Sequence, residues 1–193
     1  MPILDWLLCQ HCQELAVESA WADLGRLPQP PKTLPDKIRI ALDLYPCDLL
    51  FIHRDAEKVP FKTRHAEITR AVNLHETPPA ICVIPVRMQE AWLLFDESAI
   101  RRASGNPNGR NSLNFPETRS VDLLSDPKEL LFNLIRESSC LHGSRLKKLN
   151  LHKCAFRVSQ SIDTFHPLRS VAAFKILEDQ LKNTLVASGW CNR

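Results

Sequence analysis

Two carboxylates, Asp55 and Glu57, follow directly on the short apolar run Leu49 to Ile52. An apolar run that ends abruptly in charge reads as a buried strand. In extended backbone, residues two apart point to the same side, so both carboxylates are expected on one face of the strand's carboxyl end. Oxygen donors there suit a hard divalent cation, Mg²⁺ or Mn²⁺. His53 and Arg54 stand beside them. A second apolar run, Ala80 to Val86, is followed by Glu90 and Asp96 within Gln89-Glu90-Ala91-Trp92-Leu93-Leu94-Phe95-Asp96. Strand and then acids, twice over, is the main reason to expect an enzyme.

Each acid also has a structural reading. Glu90 in the first turn of a helix would favour the helix dipole, and as a metal ligand it would complete the set begun by Asp55 and Glu57. Asp96 reads as the N-cap of a following short helix. Lys147, Lys148 and Lys153 are the basic residues that could steady a charged phosphodiester transition state, Lys147 first among them, and otherwise form a solvated helix face. Cys9-Gln10-His11-Cys12 resembles half a zinc site, but no second Cys-x-x-Cys exists, so packed helix residues are the simpler expectation. The chain lacks a Gly-x-Ser-x-Gly elbow, a P-loop and a Gly-x-Gly-x-x-Gly turn, and only five glycines are present. Acyl hydrolysis by a serine triad and a glycine-rich nucleotide cradle are thereby disfavoured.

The elements that must position these residues follow from spacing. Ile3 to Ala20 carries a helical apolar pattern, and Trp21 to Leu27 suggests a short strand. Pro28, Pro30, Pro31 and Pro35 form a stiff connection before a helix capped by Asp36 and running to Leu44. After the strand 49–52, a helix over 62–74, the strand 80–86 and helices over 89–95 and from Glu97 follow. Strand, helix, strand, helix is the order of parallel crossovers in an α/β sheet. Beyond Asp126-Pro127, a good helix start, segments 127–135, 144–160 and 168–187 all read as helical. The expected organisation is an α/β core over 1–125 and a helical C-terminal part over 126–193, packed on the same domain.

At 193 residues with a net charge of +3, the chain has room for a sizeable core and is not basic enough to identify a nucleic-acid partner by charge alone. No apolar run reaches the roughly 20 residues that span a bilayer. Seven cysteines, an odd number and scattered, suit reduced thiols better than a disulfide framework. A cytoplasmic protein is expected.

His53-Arg54-Asp55-Ala56-Glu57, Glu90-Ala91-Trp92-Leu93-Leu94-Phe95-Asp96, Asp126-Pro127-Lys128 and the late Arg169-Ser170-Val171-Ala172-Ala173-Phe174 together resemble an uncharacterised bacterial family. Its members are distant relatives of TOPRIM domains, shared by topoisomerases, primases and the overcoming-lysogenisation-defect nucleases. The resemblance runs from about residue 3 to about residue 185. It implies a TOPRIM-like α/β fold, a mostly parallel sheet flanked by helices, holding Mg²⁺ (or Mn²⁺) through a glutamate after the first strand and an Asp-x-Asp after a later one. Asp55 and Glu57 match the later pair, with Glu in place of the final Asp, and Glu90 matches the acid of the Glu-Ala-Trp segment. The chain begins directly in what reads as the helix after the first strand, so that strand and its glutamate are expected to be missing.

Two functions follow as expectations. One is a metal-dependent nuclease in which Asp55, Glu57 and Glu90 hold the metal, and Arg54, Lys147, Lys148 and Lys153 contact nucleic acid. The resemblance sets it in phage or mobile-element defence. The other is a non-catalytic subunit of the same fold that binds a partner, an ABC-type ATPase being the one the resemblance implies. A membrane partner is not expected, and an oligomer is compatible with the sequence.

Overall fold

The computed structural model describes residues 2–57 and 59–191. It is a mixed α/β structure, 56% helical, with a two-stranded parallel sheet flanked by helices. Its contacts divide into two compact units. The first joins Ile3–Ile84 to the segment from Ile176 onward, and the second is Pro85–Lys175 with Pro2. Among the described residues, no helix is long and apolar enough to cross a membrane.

In the first unit, α1 (Pro2–His11) buries Ile3, Leu4, Leu7 and Leu8. The helix stops at His11 rather than reaching Ala20. Residues 16–21 are all exposed, so no buried face remains to hold a longer helix. The strand expected over Trp21 to Leu27 is instead a 3₁₀ turn, Leu24–Arg26. α2 (Leu34–Leu44) is capped by Thr33, whose hydroxyl accepts from the Asp36 amide. Asp36 sits two positions past the helix start, and its carboxylate accepts the Thr33 hydroxyl proton at 2.6 Å. β1 (Leu50–His53) and β2 (Ala80–Val83) pair in parallel across α3 (Phe61–Val72), with Leu50 opposite Ala80 and His53 opposite Val83. β2 ends earlier than Val86 because Pro85 has no amide to give the ladder, although Ile84 stays buried. Ile38, Ile52, Ala56, Ile68, Ala71, Cys82 and Ile84 form the core around this crossover.

α8 (Ala172–Ala187) belongs to the first unit from Ile176 on. There Glu178, only 3% exposed, pairs with His11 Nε2 at 2.7 Å. Gln180 Oε1 accepts the outward-pointing Cys82 amide and so covers part of β2's free edge. Cys12 and Cys191 are joined as a disulfide, their Cα atoms 6.0 Å apart. That pair departs from the reduced thiols expected, without making a disulfide framework, and removes Cys12 from any zinc set. Cys9, Cys47, Cys82, Cys140 and Cys154 remain free.

The second unit is helical. Gln89–Leu93 is a 3₁₀ turn rather than the α-helix expected to Phe95. α4 (Glu97–Ser104) starts at Asp96, whose carboxylate accepts the Ala99 amide, and ends at Gly105 in left-handed backbone. At Gly109 an added Cβ would meet Asn106 Nδ2 at 2.6 Å and the Arg101 guanidinium at 2.8 Å, so those side-chain ends would have to shift. α5 (Pro127–Ser139) is capped by Asp126, as its sequence predicts. The helix expected over 144–160 breaks into α6 (Gly143–Lys147) and α7 (Leu151–Ser161), because Asn150 leaves the helix to cap α7 through the Lys153 amide. The helix expected from Leu168 begins at Ala172, after a 3₁₀ turn over His166–Ser170. Trp92 and Phe174 pack edge to face at 5.6 Å, and Ile100, Leu131, Ile135 and Val158 are fully buried.

Candidate functional site

β1 is pinned at both ends of its exit. Ile52 before the exit and Ala56 after it both lie in the core of the first unit, which fixes the path of residues 53–55 between them. The Arg54 amide still donates to Val83 O at 3.0 Å, so extended pairing persists one residue past the strand. His53 and Asp55 are therefore the pair that extended geometry puts on one side. Their Nε2 and Oδ1 atoms stand 3.3 Å apart, at side-chain exposures of 25% and 31%. That is ion-pair reach if the imidazole is protonated. Yet both atoms are buried and neither makes a hydrogen bond among the described residues.

Glu57 departs from the expected geometry. Its backbone has φ 54°, the left-handed region, and its side chain is exposed. Alternation does not extend that far, so Asp55 and Glu57 are neighbours in sequence on the same tip rather than successive positions on one strand face. A left-handed non-glycine residue costs roughly 1–2 kcal/mol and is tolerated where surrounding structure enforces it.

Arg54 points toward α3. Its guanidinium meets Glu67 Oε1 at 3.2 Å, and Glu67 also pairs with Arg64. Lys62, Ala66, Glu67 and Arg70 of the same helix, with Leu74 just beyond its end, line a shallow groove that continues to Leu34 of α2. Neither Asp55 nor Glu57 lines it.

Glu90 belongs to the second unit. It stands in the first turn of the 3₁₀ segment, and its Oε1 faces Lys128 Nζ at 3.9 Å. Lys128 also lies over the Phe132 ring, 5.7 Å from its centre. Two segments that the family resemblance picks out, Glu-Ala-Trp and Asp-Pro-Lys, thus touch through an ion pair. Asp96 is occupied as an N-cap.

Lys147, at the end of α6, Lys148 just after it and Lys153 in α7 are all exposed. No acid pairs with them among the described residues. Phe156, 61% exposed, lies one helical turn beyond Lys153 with Arg157 beside it. An exposed ring among cations is a surface on which bases could stack.

Among the described residues, no group of three or more His, Cys, Asp or Glu side chains is placed to hold a metal ion. From sequence, His53 leans toward function beside the acids but has no ligand role; its two-residue spacing to Asp55 was the signal available. Comparison with protein-family models, with curated proteins and with solved structures finds no match for this chain.

Proposed function

We propose that the chain is a TOPRIM-like, Mg²⁺-dependent phosphodiesterase acting on nucleic acid, with Asp55 and Glu57 as metal-holding acids. The observation that supports this reading best is the Asp55 Oδ1 atom, buried without a hydrogen bond at the carboxyl end of a parallel strand. A buried carboxylate oxygen without a partner is costly, and a bound cation offsets that cost. The carboxyl ends of parallel strands are also where open α/β sheets bind their ligands. The oxygen donors of Asp55 and Glu57 fit a hard divalent ion. Such an ion supplies Lewis-acid activation of water and neutralises charge on the scissile phosphate.

The chain's own residues have separable tasks in this account. Asp55 and Glu57 bind the ion, and Ile52 and Ala56 hold their backbone in place. Lys147, Lys148 and Lys153, on the second unit, bind phosphate backbone. Glu67 orients Arg54, on the first unit, for a phosphate contact of its own. Glu90 is the remaining acid of the reading, and Glu90→Gln tests its contribution separately. The setting in phage or mobile-element defence is part of the proposal and rests on the resemblance.

Calorimetry with Mg²⁺ and Mn²⁺ on the wild type and on Asp55→Ala/Glu57→Ala is the test. Binding that the double variant abolishes supports the reading. A folded wild type that binds neither ion overturns it for the isolated chain.

One observation favours a second reading, a non-catalytic subunit of the same fold. Among the described residues β1 pairs only with β2, which leaves its other edge without a strand. An uncovered edge is a template for a partner's strand. An ABC-type ATPase is the partner that the resemblance implies. This reading expects metal binding to be absent from the isolated chain.

A further inference from the structure

We propose that His53 Nε2 and Asp55 Oδ1 are two adjacent ligands of one divalent transition ion, so that the tip of β1 prefers a nitrogen-accepting metal such as Mn²⁺ to Mg²⁺. The inference rests on the reading of that tip as a metal site and names a ligand and a metal class that the carboxylates alone do not define.

Three observations carry it. First, the two atoms face each other at 3.3 Å. Donors bonded to one ion at about 2.1 Å, with angles between octahedral and tetrahedral, lie about 3.0–3.4 Å apart. Second, each atom is buried and without a hydrogen bond, which is an unfavourable state for either group alone. A metal satisfies both lone pairs together, whereas protonating the imidazole would still leave the pair without hydrogen-bond geometry. Third, the positions are held rather than incidental. His53 ends the paired strand, the Arg54 amide continues the ladder, and Ile52 and Ala56 anchor both sides in the core. The imidazole and carboxylate therefore stay on one side of extended backbone. Two protein ligands leave the other coordination positions open to water or to a substrate phosphate, as at nucleic-acid-cleaving metal sites.

Imidazole nitrogen moves preference away from Mg²⁺, which takes oxygen and keeps its waters, toward first-row transition ions. Glu57, exposed on the same tip, could add an oxygen, but the pairing of His53 with Asp55 does not depend on it.

The test uses Mn²⁺ alone as the probe. Electron spin-echo spectroscopy of the Mn²⁺-loaded full chain reads coupling to a ligated nitrogen directly, without any assay of activity. The expected result is nitrogen modulation in the wild type that is lost in His53→Gln. Mn²⁺ affinity is expected to fall at least about tenfold in both His53→Gln and Asp55→Asn, since removing even an outer-shell partner brings a loss of that size. Circular dichroism checks that each variant is folded. If both variants unfold, the wild-type nitrogen signal still decides the matter. Mn²⁺ bound without nitrogen modulation overturns the role of His53 while leaving an oxygen-only site at Asp55 and Glu57. No Mn²⁺ binding to folded wild type overturns the proposed site, and Mg²⁺-dependent cleavage then tests the nuclease reading by itself.

Discussion

Asp122 is partly buried, its Oδ1 lacks a hydrogen-bond partner, and burial pushes its carboxyl above the ordinary carboxylate range, against a smaller opposing effect of the Ala173 amide. The unfolded chain therefore ionises this group first as pH rises. A penalty against folding develops as pH climbs from the ordinary value of 3.8 through the raised folded value and persists above it. Asp122→Asn removes the charge and retains an acceptor for the amide. It is expected to raise the melting midpoint at pH 7, with the gain fading toward about pH 3, where both states are protonated. Thermal scans across that range check this, and a pH-independent effect would contradict it. Cys140 ends α5 in left-handed backbone, φ 52°, where glycine is unstrained. Cys140→Gly is expected to stabilise by about 1 kcal/mol, a rise of roughly 2–4 °C for a chain of this size. An unchanged or lowered midpoint would show that Cys140's contact with Asn111 outweighs the strain. At this scale the expected alternation reaches one position less far along the chain than the sequence suggests. The alternation that suggested Asp55 with Glu57 holds for His53 with Asp55, because the strand geometry ends before Glu57.

Among the elements, what depends on local chemistry was legible. Asp96 and Asp126 cap the helices they precede, and both strands lie where the apolar runs put them. Boundaries set by tertiary context were not. α1 stops where nothing remains to bury, and the run 144–160 is interrupted because Asn150 caps better than it continues a helix. Thr33 was missed as a cap because Asp36 is an equally good N-terminal signal. Here the Thr33 hydroxyl accepts from the Asp36 amide and donates to the Asp36 carboxylate. Thr33→Ala is expected to cost about 1 kcal/mol, readable by denaturant unfolding, and a negligible loss would show that Asp36 caps alone. The exposed lysines of α6 and α7 belong to the same scale. Replacing Lys147, Lys148 and Lys153 together with Gln is expected to lower the slope of log affinity against log salt for nucleic acid by about two, given 0.7–0.9 per phosphate contact. An unchanged slope would remove this face from the account.

In the molecule as a whole, chain order and spatial grouping diverge. The segment from Ile176 onward joins residues 3–84, through Glu178 on His11, Gln180 on the Cys82 amide and the Cys12–Cys191 bond. Contacts between the two ends of a chain leave no local pattern, so the helical C-terminal third could be read from the sequence but not how its helices divide between the two units. The acids of the functional reading divide in the same way: Asp55 and Glu57 lie in the first unit, and Glu90, paired with Lys128, lies in the second.

The most direct measurement is cleavage of end-labelled DNA and RNA by the wild type and by folded Asp55→Ala, with Mg²⁺, with Mn²⁺ and with chelator. The account predicts metal-dependent cleavage of at least one substrate that chelation abolishes and that Asp55→Ala lowers at least about a hundredfold, as when a group stabilising transition-state charge is removed. Folded wild type that cleaves neither substrate with either metal, or cleavage that survives the Asp55 substitution, would contradict it.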